Sequence, residues 1–399
     1  MTGIVVQKFG GTSIVDDAAR KRAARLVAEK RSAGYAPVVV VSAIGRFGDP
    51  YSTDSLLHLA KSSGAGLGDR EHDLIASCGE VISAVVFAQS LAAEGIGSTP
   101  LTGGQAGVMT TGNFSRSRII GMETSGVRNI IDQNRVPVIA GFQGVSEDGE
   151  VMTIGRGGSD TSACLIAAAL GAEYVEIIKD VDGVMTADPR VVEDARLISA
   201  VQYPEVQALA LNGSRVIHAK AVEAASRAGL RISVRSGISQ SPGTMISFDE
   251  HSRPVTGISS IPDIIFFEVS QNGDDEARRN WDIFQGIAEA EISIHFIDFR
   301  QRRVTFVVES SRANDVRQML DDCGLKFKAS GGYAKVSVVG VGMTGQPGMF
   351  ATVIRALGER NIEIHQLTDA PTSISCLVTQ ENEHRAIRAL HDAFHLGES

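Results

Sequence analysis

The sequence predicts an α/β protein: a domain with a mostly parallel central sheet over roughly residues 1–245, then two ferredoxin-like units over 262–330 and 331–399. Three observations carry this expectation. Short β-branched runs alternate with helical stretches through the first part of the chain. Glycine-rich loops stand where two of those runs end. The last third contains one pattern twice, seventy residues apart.

Taken in order, Ile4-Val5-Val6 reads as a buried strand, because consecutive β-branched residues leave no polar face. A helical stretch from Asp16 to Arg31 leads to a second buried strand, Val38 to Val41. Val136 to Ala140 and Glu173 to Ile178 are further strands. A helix lies within Asn212 to Leu230, and Ile232-Ser233-Val234 follows it as a strand. Such alternation favours a parallel sheet covered on both faces, with ligands beyond the carboxyl ends of the strands. Gln240-Ser241-Pro242-Gly243-Thr244 is a turn-rich exit from this region.

Beyond residue 262, Ala290-Glu291-Ile292-Ser293-Ile294-His295 matches Arg360-Asn361-Ile362-Glu363-Ile364-His365. The same offset sets Ile287 on Leu357, Val304 on Ile374, Val308 on Val378 and Leu320 on Leu390. Each copy reads strand, helix, strand, strand, helix, with room for a short final strand.

The chain has 399 residues, 43% hydrophobic and 21% charged, enough for two or three domains. The net charge of −9 and pI near 5.5 argue against a general nucleic-acid binder, which needs a basic face. No uninterrupted apolar run approaches the roughly 20 residues of a membrane span, and the N-terminus reads as a strand, not a signal peptide. Cys78, Cys164, Cys323 and Cys376 are scattered, so a reduced, cytoplasmic protein is expected. No residue set reads as a protein metal site.

Three elements carry the chemistry: Lys8-Phe9-Gly10-Gly11-Thr12-Ser13, then Gly155-Arg156-Gly157-Gly158-Ser159-Asp160, then Asp180 to Arg190. A strand ending in a lysine and two glycines lets backbone N–H groups approach phosphate while the lysine adds a point charge. The second loop opens a helix from Thr161 to Leu170, whose N-terminus also favours an anion. Asp182-Gly183 and Asp188-Pro189 are ordinary turn formers as well. Ser13 either orients a phosphate or caps the following segment.

These three elements, with Ser77-Cys78-Gly79-Glu80 and the paired C-terminal repeats, resemble the aspartate kinase family within the amino acid kinase superfold. The likeness covers essentially the whole chain. It implies a three-layer amino acid kinase domain followed by two ACT domains that bind regulatory amino acids. Val339-Gly340-Val341-Gly342-Met343 followed by Pro347-Gly348 looks like the start of the second ACT domain. Gly48 to Asp54 most resembles the short bacterial isozymes inhibited by diaminopimelate. The implied reaction is ATP + L-aspartate giving ADP + 4-phospho-L-aspartate, the opening of the route to lysine, methionine and threonine.

The resemblance also implies roles. Lys8 would neutralise the transferred phosphoryl group, and Asp160 would orient Lys8 and help place Mg²⁺ or cap its helix. Gly10, Gly11 and Ser13 would face the phosphates of ATP. Arg156 can grip a carboxylate, Glu80 can pair with the substrate ammonium, and Thr53, Ser42 and Ser159 can donate hydroxyl hydrogen bonds. Asp180, Met185 and Arg190 fall where the family contacts nucleotide. Lys179 stands where Thr or Ser is common, Arg215 where Lys is usual, and Ala219 where Pro is usual; the first two put nucleotide affinity in question. A regulatory amino acid, diaminopimelate or lysine, would use the Gly340 to Gly348 loop with Met343, and Thr368 and Asp369 at the end of an Ile362–Leu367 strand. A homodimer through the ACT domains is expected, with no nucleic-acid or membrane partner. The alternatives are a kinase for another carboxylate and a catalytically weak regulatory binding protein.

Overall fold

The computed structural model describes residues 3–64, 66–248, 254–270, 276–290, 292–343 and 346–398. They form two compact units that interleave along the chain. The first comprises Met1–Val184, Leu197–Ala210 and Arg215–His251; the second comprises Met185–Arg196, Leu211–Ser214 and Ser252–Ser399. A single cut near residue 245 therefore does not describe the packing. Ala187 and Val192 belong to the hydrophobic core of the second unit.

The first unit begins with β1 (Ile4–Phe9), α1 (Asp17–Ser32), β2 (Ala36–Val41), α2 (Thr53–Ser62) and α3 (Asp69–Ala93). Then come β3 (Ser98–Leu101), β4 (Val108–Thr110), β5 (Ile119–Met122), α4 (Ser125–Asp132), β6 (Val136–Ala140), β7 (Gln143–Val145) and β8 (Val151–Thr153). It closes with α5 (Gly158–Leu170), β9 (Tyr174–Lys179), β10 (Ala200–Gln202), α6 (Tyr203–Leu211), α7 (Ala219–Ala228), β11 (Arg231–Ser236) and β12 (Thr244–Ser247). Eight strands make one sheet in the order β10-β12-β11-β9-β1-β2-β6-β3, parallel except where β11 meets β12. A smaller sheet runs β5-β4-β7-β8.

The expected strands are all present, and β1 and β2 are buried almost throughout, as β-branched runs between two helical layers must be. Phe9, Val39, Val41 and Ile178 pack against α1 and α3 on one face. On the other face α5 packs on β1, β2 and β9, with α7 beside it. Local chemistry sets the helix ends: Asp16 caps α1 by accepting from the Ala19 N–H at 2.7 Å, and Gly171 ends α5 in the left-handed region. By length and composition alone, the 25-residue α3 could cross a membrane. Asp73, Ser77, Glu80 and Ser83 punctuate it, so it holds no unbroken apolar run of that length. All four are buried, and α3 gives Phe87 and Leu91 to the core.

The second unit contains β13 (Gly257–Ser270), α8 (Glu276–Glu289), β14 (His295–Arg300), β15 (Arg303–Glu309) and α9 (Ala313–Asp322). β16 (Lys326–Val339), α10 (Met349–Gly358), β17 (Gln366–Ala370), β18 (Ser373–Thr379) and α11 (Glu383–Ala393) follow. The seventy-residue repeat is structural: β15 and β18 start at residues 303 and 373, and α9 and α11 at 313 and 383. Val304, Val308 and Leu320 lie in one core, and Ile374, Val378 and Leu390 in another. Glu291, within the first copy of the motif, lies outside the described residues.

The two copies share a single six-stranded sheet, β14-β15-β13-β16-β18-β17. The long strands β13 and β16 run antiparallel and serve both halves, with register shifts between Ile261 and Phe266. Lys326–Ser330 is the expected final strand of the first copy, paired with Phe266–Ser270. In the second copy that place is taken by Gly257–Ile261, paired with Lys335–Val339, and the chain continues into no further strand after α11 among the described residues. Residues 331–399 thus complete their sheet with a strand from before residue 262. β17 begins at Gln366, so Thr368 and Asp369 lie within it and Ile362 precedes it.

Candidate active site

The site grows from the carboxyl ends of β1, β2 and β9. In the parallel register Lys8 sits opposite Ile177, so Lys8 and Lys179 project to the same face of adjacent strands, the face that α5 covers. Asp160, in the first turn of α5, meets both. Its Oδ1 is 2.7 Å from Lys8 Nζ, and its Oδ2 accepts from Lys179 Nζ at 2.9 Å. Lys8 and Asp160 are buried, with side chains 6% exposed; Lys179 is 18% exposed. Burial alone would raise the Asp160 pKa, but the two ammonium charges outweigh it and hold the carboxyl far below its ordinary range. Burial lowers the Lys8 pKa; Lys179 adds to that fall and Asp160 opposes it.

Asp160 does not cap its helix: the N-cap is Gly157, in the left-handed region, and the carboxylate is committed to the lysines. A Cβ at Gly157 would collide with the His218 ring. Glycine is therefore required on two counts, φ and the close approach of His218. Asp160, Lys179 and Arg156 all act on the His218 pKa, which burial lowers most.

The first loop also departs from expectation. The Gly10 N–H donates to the Ile178 carbonyl at 3.1 Å, so that amide is not free to face a phosphate. The Ser13 hydroxyl donates to the same carbonyl at 3.3 Å, neither capping a helix nor standing open. Gly11 is needed for close approach, since a Cβ there would sit 2.3 Å from the Ala43 carbonyl oxygen. The open side of Gly10 faces Lys8, whose Nζ would lie 3.8 Å from a Cβ at Gly10.

Glu80 lies on α3, 3% exposed. Its Oε1 accepts from the Ala43 N–H at 3.1 Å, and its Oε2 has no hydrogen-bond partner. Burial pushes its pKa up to about 8, against the opposing Ala43 N–H and Lys8 charge. Gly79 allows this, because a Cβ there would be 2.7 Å from the Ala43 Cβ. Ser42 follows β2 directly, its N–H bonded to the Phe9 carbonyl, and is half-buried. Thr53 is the first residue of α2, whose cap is Ser52. Ser159 is buried beside Asp160, and Arg156 is exposed and makes no ion pair among the described residues.

On the third element, Asp180 pairs with Arg46 at 2.6 Å. Arg215 is exposed and makes no ion pair among the described residues. Met185 and Arg190 belong to the second unit, where Arg190 pairs with Asp188 at 2.6 Å. Also in that unit, Met343 is buried, with its N–H donating to the Pro371 carbonyl at 3.0 Å, and Thr368 and Asp369 are exposed on the edge strand β17. Within the Gly340 to Gly348 loop, residues 344 and 345 lie outside the described residues. Asp194, His391 and Asp392 bring potential ligand atoms within 4.8 Å of one another, a grouping with no metal-binding spacing in the sequence.

The amino acid kinase family model matches residues 3–236, and an ACT domain model matches residues 336–394. Aspartokinase 1 of Bacillus subtilis is 41% identical over 402 residues, covering 98% of this chain and 99% of that relative. The chain belongs to the aspartokinase family. ATP-dependent phosphorylation of L-aspartate, under allosteric control, is the activity this establishes for the chain. Two E. coli aspartokinase III structures share its fold. The one with aspartate and ADP (R-state) has a TM-score of 0.81 at 22% identity, covering 98% of this chain and 100% of that one. The one with lysine and aspartate (T-state) has a TM-score of 0.76 at 21% identity, covering 98% and 99%.

The geometry of this aspartokinase adds residues that sequence reasoning missed. Asp73, buried on α3, accepts from the backbone N–H groups of Ser115 and Thr153 at 2.8 Å and from the Thr153 hydroxyl at 2.7 Å. It fixes the end of β8, from which the Gly155–Asp160 loop departs. An aspartate inside an apolar helix was the available signal. Arg46 and His218 gave none, since their partners lie far away in sequence.

Proposed function

We propose that Lys8 and Asp160 are the transfer pair of this aspartokinase, with aspartate held by Arg156, Glu80, Thr53, Ser42 and Ser159. The buried Lys8–Asp160 ion pair at the carboxyl ends of the strands carries this reading. A neutralised, desolvated lysine held in one position suits phosphoryl transfer, which depends on placed charge. The exposed Arg156 and the buried Oε2 of Glu80, without a hydrogen-bond partner among the described residues, support the aspartate side.

ATP would lie along Gly10, Gly11 and Ser13, with Lys179 toward its phosphates and Asp180 and Arg215 on its nucleotide side. Mg²⁺ is supplied with the triphosphate as the MgATP substrate. Asp160 and Asp180 are each engaged by cations, which fits an ion held mainly by phosphate oxygens and water. Diaminopimelate or lysine would act at Met343, Thr368 and Asp369. The exposed edge strand β17 supports that site and a homodimer through the ACT domains. The enzyme would work in the cytoplasm, where its four free thiols stay reduced. A coupled ADP-release assay with aspartate, glutamate and no acceptor tests the acceptor assignment. Turnover that ignores the choice of acceptor would overturn it.

A further inference from the structure

We infer that Lys179 is a second ammonium of the transfer site, a positioning residue that shares Asp160 with Lys8 and acts on phosphoryl transfer, not on recognition of the nucleoside. This rests on the reading of Lys8 and Asp160 given above. Lys179 ends β9 and Lys8 nearly ends β1, on neighbouring parallel strands and on the same face. Each takes a different oxygen of one carboxylate, Oδ1 for Lys8 at 2.7 Å and Oδ2 for Lys179 at 2.9 Å. An aspartate gripped from both sides cannot swing, so Lys179 fixes the group that orients Lys8.

Charge makes the same point. Lys8 and Asp160 alone sum to zero, and a neutral side chain at residue 179 would leave the buried pair uncharged. With Lys179 the cluster carries one positive charge in a site shielded from water, where a placed charge is worth more than at the surface. An ammonium has three donors, so both lysines can keep Asp160 and still present N–H groups to phosphoryl oxygens. Arg215, the other cation expected near the nucleotide from the first unit, is exposed and unpaired among the described residues. Lys179 is therefore the cation of the two that is built into the cluster.

The test compares Lys179→Ala and the volume-keeping Lys179→Met with wild type, and Lys8→Ala in parallel. The measurements are steady-state kinetics, ADP binding by calorimetry, and the alkaline limb of kcat/KM. We expect kcat to fall roughly 10²-fold in both Lys179 variants. KM for ATP and the affinity for ADP, which lacks the transferred group, should stay within about threefold. The alkaline limb should move to higher pH, because Lys179 is one of the charges that depress the Lys8 pKa. A tenfold loss of ADP affinity at unchanged kcat would overturn the inference and return Lys179 to nucleotide recognition. Unaltered kinetics beside a crippled Lys8→Ala would overturn it while sparing the transfer pair; full turnover in Lys8→Ala would remove the underlying reading itself.

Discussion

Replacing Glu80 by glutamine isolates the carboxyl that burial displaces upward. Its folded pKa stands at about 8 against an ordinary 4.5, a difference of about 3.5 units. At about 1.4 kcal/mol per unit, the ionised form is disfavoured in the fold by up to about 5 kcal/mol. The folded chain holds this proton more tightly than the unfolded chain. The linked stability is therefore complete below pH 4.5 and is lost as pH rises through 8. Glutamine stays neutral and can still accept from the Ala43 N–H. The stability of Glu80→Gln relative to wild type should thus be nearly level below about pH 4 and start to rise near pH 4.5. It should then climb by several kcal/mol, at most about 5, by pH 9. Denaturant unfolding of both proteins in half-unit pH steps measures that difference directly, since titrations common to both cancel. A difference that stays flat from pH 5 to 9 would show that Glu80 is already ionised in the fold and refute the reasoning. The same proton reports on function. A substrate ammonium arriving at Glu80 should pull the carboxyl into its charged form, so aspartate binding at pH 7 should release close to one proton in wild type and none in Glu80→Gln. Calorimetry in two buffers of different ionisation enthalpy reads that number.

Lys8→Ala should lower kcat by roughly 10²–10⁴; turnover within threefold of wild type would exclude it from the chemistry. Arg156→Lys should raise KM for aspartate more than KM for ATP, since the charge remains and the two-pronged grip is lost; the reverse pattern would put Arg156 on the phosphates. Asp369→Ala should blunt inhibition by diaminopimelate or lysine in a dose–response assay without altering uninhibited turnover, and inhibition of undiminished strength would move the effector away from β17.

Much of the fold was legible because it is local. Ile4 to Val6 and Val38 to Val41 declare themselves buried strands by composition, and the glycines after Phe9 mark where the first of them ends. The repeat was legible for the same reason: β15 with α9 and β18 with α11 are separate copies of one local pattern. In the site, residue type pointed to Lys8, Asp160, Arg156 and Glu80. The state of each did not follow from type. A glutamate in mid-helix reads as solvated, and Glu80 is buried only because Gly79 lets α3 close on Ala43.

The sequence by itself determined five buried strands of the first unit, the duplicated second unit and the residues able to handle phosphate, because periodicity and side-chain chemistry act within a few residues. Tertiary structure alone decided the partners. Lys8 meets Asp160 across 152 positions, Arg46 meets Asp180 across 134, and Gly257–Ile261 fills the strand that the second repeat lacks. Such pairings depend on which strand ends and helix ends the folded backbone brings within 3 Å or so, and on how much water is excluded there. Neither quantity is encoded in any short window of the chain.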